Sequence, residues 1–324
     1  MRIPPQTSGS AHPGARKVAM IANPMAGART APQWVERAQR ELWGYEVEAY
    51  FPQTAQELQD LCARFTRDQY SATVVVGGDG TQNQALQGRW KSGAQLKELA
   101  PLYPFPGGTA NDLSVELGIE PSFEQVQRLL DLRSSTEIDV IAVNGVPFST
   151  VAGIGIGAAL TQAINDTRRQ SRVFCGLLRT LRAEIYTAMS AKTILTSRGF
   201  LHDVRVEADS FSERMEVAAV FICNQDVLGG DLKVGEHNSN QDGVFGVLII
   251  PGKNPVSLLK DLAVIRAGGN PSGSIRFSTS RLSILSQQNR EISVFGDGEV
   301  LLQSKRLHFE IHPQSLPVFS DKNK

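Results

Sequence analysis

Apolar and polar positions alternate in two different rhythms along this chain. Through residues 17–135, short apolar runs trade places with helix-spaced segments. KVAMIAN (17–23), EVEAYF (46–51), ATVVV (72–76) and LYPF (102–105) each have strand length and strand composition. Between them, residues 31–43 carry a helical pattern. AQELQDLCARF follows Thr54, which stands where an N-cap belongs, and Leu58, Leu61, Cys62 and Phe65 recur at three- and four-residue spacing. Strands alternating with helices predict a mostly parallel sheet covered on both faces, with ligands beyond the carboxyl ends of the strands.

After EIDVIAV (137–143) the rhythm changes. VPFSTVAGIG, LHDVRVEA (201–208), MEVAAVFICN (215–224), GVFGVLII (243–250), SIRFSTSRLSIL (274–285), EISVF (291–295) and RLHFEIH (306–312) are all strand-like. Helices intervene chiefly at 172–190 and 256–266. The second half is therefore expected to be an antiparallel sandwich. The expected organisation is a disordered tail (1–15), an α/β three-layer nucleotide-binding domain (16–136) and a β-sandwich acceptor-binding domain (137–308). A C-terminal segment (309–324) then returns to the first domain.

Composition narrows the classes. Lys+Arg and Asp+Glu stand at 33 each in 324 residues, so no global charge points to nucleic acid, and none is expected as a partner. The longest apolar runs, such as VLII (247–250), are far too short to span a bilayer, so any membrane contact is peripheral. The start, MRIPPQTSGSAHPGARK, lacks the apolar core of a signal peptide. Cys62, Cys175 and Cys223 form no framework, which fits reduced thiols and a cytoplasmic setting. None of the five histidines has metal-ligand spacing, so zinc and hydrolase chemistry find no support.

The candidate chemistry sits in three loops that end strands: NPMAG (23–27), GGDGT (77–81) and PGGTAND (106–112). A parallel sheet brings all three to one edge. There, glycines permit close approach or positive φ, and helix N-termini supply positive potential for phosphate. Neither a P-loop nor a strand followed by GxGxxG is present, and GIGIGA (153–158) has the wrong spacing. GGDGT alone also reads as a tight strand–helix turn with an Asp cap. DGE (297–299) alone reads as an ordinary β-turn, and Asp242-Gly243 as a turn before a strand. Asp79 is the telling residue, because a carboxylate among phosphate-binding amides is repulsive unless a metal ion or hydroxyl meets it. This points to a nucleoside triphosphate with Mg²⁺.

NPMAG, GGDGTQNQ (77–84), PFPGGTANDL (104–113) and FGDGE (295–299) occur in the order and approximate spacing of the diacylglycerol kinase catalytic-domain family, which the chain resembles over residues 17–319. The stretches 143–160 and 225–250 resemble that family as well. NAD kinases and phosphofructokinases share a GGDG-type loop without pairing it with both the GTxND loop and the late DGE. The resemblance implies a kinase that moves the γ-phosphate of ATP to a hydroxyl of a lipid such as diacylglycerol, with Mg²⁺, acting transiently at the membrane surface from the cytosol. Dimers occur in that family, so a homodimer belongs to the same expectation.

By that resemblance, Asn23, Pro24, Gly27 and Thr54 would line the nucleotide site. Gly77, Gly78, Gly80 and Thr81 would hold phosphate, with Asp79 near the Mg²⁺–triphosphate. Thr109 would contact the nucleotide beside Gly107 and Gly108, and Asn111 and Asp112 would brace that loop. Asp297 and Glu299 would meet the acceptor hydroxyl, Glu299 as general base. Asp242 would bind a second, structural Mg²⁺ with carbonyls around Ser239 and Val244. Two departures stand out. Gln84 replaces the Glu of GGDGTxNE, and LSVEL (113–117) lacks the Arg that follows GTAND in bacterial relatives, with Arg168, Arg169 and Arg172 as a basic cluster that could compensate. The rival readings are a kinase for a non-lipid alcohol or nucleotide, resembling NAD kinase, and a catalytically weak nucleotide- or lipid-binding regulator.

Overall fold

The computed structural model describes residues 16–24, 31–92, 96–170, 182–196 and 199–322. The chain divides into two units: residues up to Ile138 together with Gln314–Lys324, and Asp139–Pro313.

The first unit is built on parallel strands. β1 (Arg16–Ala22), β2 (Tyr45–Tyr50), β3 (Ala72–Gly77) and β4 (Leu102–Pro106) pair in the order β2-β1-β3-β4. The central β3 is buried along its whole length, as its Val74-Val75-Val76 run requires. The helices are α1 (Ala31–Glu41), α2 (Ala55–Cys62), α3 (Asp79–Lys91), α4 (Asp112–Glu116) and α5 (Phe123–Leu132). α2 packs on α3, and α1 on α5. Right-handed crossovers on a sheet whose order reverses at β1 put these pairs on opposite faces. Gly88 of α3 lets the two helices close up, because a Cβ there would lie 2.2 Å from the Gln59 carbonyl oxygen. The C-terminal segment is tied in by Asp321, which accepts from Arg128 at 2.9 and 2.5 Å and from Gln125 at 2.9 Å.

The second unit is antiparallel. Its strands are β5 (Ser135–Val143), which enters from the first unit, β6 (Val146–Phe148), β7 (Val151–Gly155), β8 (His202–Ala208), β9 (Phe211–Cys223), β10 (Val227–Leu228), β11 (Leu232–Lys233) and β12 (Phe245–Pro251). β13 (Ile275–Thr279), β14 (Arg281–Ser286), β15 (Ile292–Gly296), β16 (Glu299–Ser304) and β17 (Arg306–Phe319) follow, and the end of β17 returns to the first unit beside β4. The long β9 is the hub, pairing with β7, β8 and β12. Its alternate residues face two cores: Val220 and Ile222 join Phe245 and Phe309, while Ala219, Phe221 and Cys223 join Leu248 and Phe295. The segment expected as one strand at 274–285 is two, separated at Ser280 and paired with β12 and β14's own neighbours β8 and β17 respectively.

α6 (Ile156–Gln170) springs directly from β7, where apolar and polar positions predicted no helix. The helix expected at 172–190 is described only from its later part, as α7 (Arg182–Thr196), and α8 (Pro255–Arg266) lies where expected. The glycines of GIGIGA serve packing: a Cβ on Gly153 would sit 2.3 Å from the Val220 carbonyl oxygen, and one on Gly157 would sit 2.4 Å from the Phe295 ring. Among the described residues, no helix is long and apolar enough to cross a membrane.

Candidate functional site

Two glycine loops lie at the carboxyl edge of the parallel sheet, and they touch through their backbones. The Gly107 amide donates to the Gly77 carbonyl oxygen at 2.9 Å. A Cβ on Gly108 would fall 2.3 Å from the Gly78 Cα, and one on Gly107 would fall 3.1 Å from the Gly77 nitrogen. None of Gly77, Gly78, Gly107 and Gly108 has a positive φ. These glycines therefore serve close approach of one loop to the other, rather than a left-handed backbone.

Gly78 is the N-cap of α3 and offers no side chain to cap it, so the positive end of a 13-residue helix opens here. Gly80 lies in its first turn. Thr81 is buried, its side chain folding back over Gly77, and its Oγ1 accepts from Asn23 Nδ2 at 3.1 Å. The Asn23 amide in turn donates to Val76 O at 3.3 Å, which fixes the first loop to the second. Pro24 follows in a turn, and Gly27 lies outside the described residues.

The Asp79 carboxylate reaches the other loop. Its Oδ2 accepts from the Asn111 amide at 3.0 Å and its Oδ1 from the Asp112 amide at 2.6 Å. Sequence reasoning asked for a metal or hydroxyl to meet this carboxylate. Two main-chain N–H groups, more than thirty positions away, answer part of that demand. Asn111 adopts a left-handed conformation (φ 55) and clamps Gly108 from both sides, its Oδ1 accepting from the Gly108 amide at 2.8 Å and its Nδ2 donating to the Gly108 carbonyl oxygen at 3.1 Å. Thr109, between them, is partly buried, whereas Asp112 is buried. Thr54 caps α2 as expected of its position, its hydroxyl accepting from the Glu57 amide at 3.1 Å.

The two departures from the family pattern have definite surroundings. Gln84 faces α2, where its Oε1 accepts from Gln59 Nε2 at 2.5 Å, and Gln59 Oε1 accepts from Lys91 at 3.2 Å. It belongs to a ladder between two helices. The position of the missing Arg is Val115, which is 66% exposed. The side chains of Arg168, Arg169 and Arg172 lie outside the described residues.

In the second unit, Asp297-Gly298 forms the two-residue loop of the β15–β16 hairpin, with φ 48 and φ 79. Both positive values are what a type I′ loop needs, and Asp-Gly is a preferred pair for it. The Asp297 side chain is buried and saturated. It accepts from the Ser149 and Thr150 amides at 3.1 and 2.9 Å and from the Thr150 hydroxyl at 2.6 Å. Glu299 begins β16, half-buried, and its Oε2 accepts from Asn165 Nδ2 at 3.2 Å. Asn165 also reaches the Gly298 carbonyl oxygen at 3.4 Å. It sits on α6, the helix that sequence patterning did not show.

The loop of the expected second metal site carries one carboxylate turned into its own backbone. Asp242 Oδ1 accepts from the Val244 amide at 3.1 Å, and Ser239 Oγ from the Gln241 amide at 3.3 Å. The neighbouring buried carboxylate is Asp139, which accepts from the Gly243 amide at 2.8 Å. Among the described residues, no group of three or more His, Cys, Asp or Glu could hold a metal ion.

Residues 17–143 match the diacylglycerol kinase catalytic domain, and residues 150–320 match the YegS C-terminal NAD kinase beta sandwich-like domain. A Streptococcus pneumoniae protein named “Putative lipid kinase” is 26% identical over 312 residues, 94% of this chain and 98% of its own. A Bacillus subtilis protein named diacylglycerol kinase is 22% identical over 289 residues, 87% of this chain and 90% of its own. A Bacillus anthracis crystal structure described as a diacylglycerol kinase superposes with a TM-score of 0.68 at 16% identity, covering 95% of this chain and 97% of that one. With paired glycine loops on a parallel α/β unit, an antiparallel sandwich behind them in sequence, and both parts matched in order, this chain belongs to the diacylglycerol kinase catalytic-domain family.

Proposed function

We propose that the protein is an ATP- and Mg²⁺-dependent kinase that phosphorylates a hydroxyl of a lipid such as diacylglycerol. The observation that carries the reading is the backbone contact of Gly77–Gly78 with Gly107–Gly108 beside the uncapped start of α3. The four glycines add no side chains of their own at that contact, and the helix end presents positive potential, which suits a polyphosphate. The names of the relatives, lipid kinase and diacylglycerol kinase, favour a lipid acceptor.

Phosphoryl transfer asks a protein for positioning and for stabilisation of charge. In this reading the two loops hold the triphosphate, and the Asp79 clamp keeps them in register. A carboxylate offers about four lone-pair sites, so accepting two amides leaves Asp79 able to serve as an oxygen ligand. Oxygen donors are what Mg²⁺ takes, and the bound ion would neutralise charge on the phosphates. Ser239, Asp242 and the Val244 backbone offer oxygen donors for the structural Mg²⁺, with a single carboxylate among them.

Glu299 is the general base, accepting the proton of the lipid hydroxyl as it attacks. Asn165 holds its rotamer. Asp297 is a positioning residue: it fixes the hairpin loop from which Glu299 projects by anchoring that loop to Ser149 and Thr150.

The test is an acceptor screen with labelled ATP and Mg²⁺, offering diacylglycerol in mixed micelles beside NAD. The lipid reading requires label in the lipid. Label in NAD alone would replace it with the nucleotide reading, and no transfer to any acceptor with retained ATP binding would favour the regulator.

A further inference from the structure

The opposite edge of the first unit carries a second concentration of functional groups. Arg16 and Lys17 open β1, Ser71 immediately precedes β3 and Pro101 immediately precedes β4. These strands are parallel, so their starts lie together, away from the glycine loops at their ends. A cavity of about 620 Å³ opens there, with Tyr70, Leu130 and Phe319 among its walls. Four of its lining side chains are cationic, Arg16, Lys17, Arg67 and Arg133, and one, Asp68, is anionic.

The first two cations are paired, Lys17 with Glu48 at 2.7 Å and Arg16 with Asp131 at 3.6 Å. The other two are not. Arg67 donates through Nε to the Leu99 carbonyl oxygen at 3.3 Å, and among the described residues neither Arg67 nor Arg133 has an acidic partner. Arg133 also occupies a costly position. It ends α5 in the left-handed region (φ 51, ψ 39), where its amide caps the helix and where glycine is the usual residue. An arginine there carries a backbone cost that glycine would avoid, while its side chain lines the cavity.

A third guanidinium adds to the imbalance. Arg89 is fully buried, and its three side-chain nitrogens have no hydrogen-bond partner among the described residues. Burial lowers it to about 10, so it remains charged at neutral pH. Cys62 beside it does not neutralise it, because burial pushes that thiol up to about 12. Arg89 and Arg67 repel each other. Among the described residues, Arg67, Arg133 and Arg89 at this edge thus have no acidic partner, and Asp68 is the one carboxylate in the cavity wall.

We propose that this cavity is a binding site for a phosphate-bearing anion, separate from the nucleotide cradle, with Arg67 and Arg133 as its principal contacts. The anion is either a soluble phosphorylated molecule or a phospholipid headgroup. The site does not rest on the kinase reading, since neither arginine belongs to the cradle.

The experiment compares the wild type with Arg67→Gln, Arg133→Gly and the double variant. Inorganic pyrophosphate is titrated by calorimetry, and phosphatidylglycerol–phosphatidylcholine vesicles are pelleted with each protein. Binding of at least one probe is expected to weaken about tenfold in each single variant, the loss of one charge-assisted contact, and to vanish in the double variant. Arg133→Gly should melt at or above the wild-type temperature, because glycine relieves the left-handed backbone. An effect confined to pyrophosphate identifies a soluble ligand, and one confined to vesicles identifies a headgroup. Binding equal in all four proteins, as pyrophosphate seated in the cradle would give, overturns the proposal. So does the absence of wild-type binding to both probes.

Discussion

Asp79 and Asp297 stand in the same short setting, Gly-Asp-Gly, in different units of the molecule. Each carboxylate accepts two successive main-chain amides of a loop distant in sequence, Asn111 and Asp112 for one, Ser149 and Thr150 for the other. The differences lie in what surrounds the clamp. Asp79 is partly exposed in the first turn of a helix, beside an uncapped N-terminus. Asp297 is buried in a left-handed hairpin loop, accepts a hydroxyl as well, and stands two residues before Glu299. The shared signature thus marks a loop clamp in both units. The chemistry proposed for each comes from its neighbour: helix-end potential in the first, a half-buried carboxylate in the second.

The largest expected effect follows from burial. Asp297→Ala strands buried amides and a hydroxyl, so urea denaturation should show a loss of about 3 kcal/mol. A loss below about 1 kcal/mol would mean that the second clamp is not structural. Asp79→Asn keeps one acceptor oxygen in a partly exposed place and should cost about 1–2 kcal/mol. Its effect should also be local: hydrogen exchange should quicken at the Asn111 and Asp112 amides and stay unchanged at Ser149 and Thr150. Equal changes in both loops would contradict two independent clamps.

Glu48 sharpens the comparison, because its donors are side chains. Burial alone would raise its pKa, but hydrogen bonds from Lys17, Tyr50 and Tyr70 outweigh burial and bring it from 4.5 to about 2. A carboxyl depressed in the folded state contributes stability above its unfolded value and loses it as pH falls through the folded one. A small loss of stability between about pH 4.5 and pH 2, reduced in Glu48→Gln, is therefore expected in acid titration monitored by circular dichroism. An identical acid profile in the variant would show that the cluster contributes nothing.

Much of this was legible in the sequence, for physical reasons. A fully apolar run such as Val74-Val75-Val76, ended by glycine, has few alternatives to a buried strand. Thr54 just ahead of the periodic AQELQDLCARF announced a helix start. What stayed hidden depended on contacts across distance. Asp79 gave no sign that its partners were amides 32 and 33 positions later. The glycines of both loops suggested close approach to a ligand and positive φ, whereas the approach seen is of one loop to the other and no positive φ occurs at Gly77, Gly78, Gly107 or Gly108. α6 was obscured because IGIGAAL continues the composition of the strand before it, and Asn165 went unnoticed with it. β16 was missed because VLLQS follows the turn too closely to register as a separate run. Ser280 splits two strands whose partners are set by the sheet, and no local pattern records that.

The proposed function turns on Glu299. Phosphate transfer from labelled ATP to diacylglycerol micelles, measured side by side for the wild type and Glu299→Gln, tests it most directly. The substitution keeps the size of a half-buried side chain, so melting should shift by no more than about 0.5 kcal/mol of stability. Loss of the general base should lower the transfer rate by about a hundredfold or more. Transfer undiminished in the folded variant would contradict the assignment.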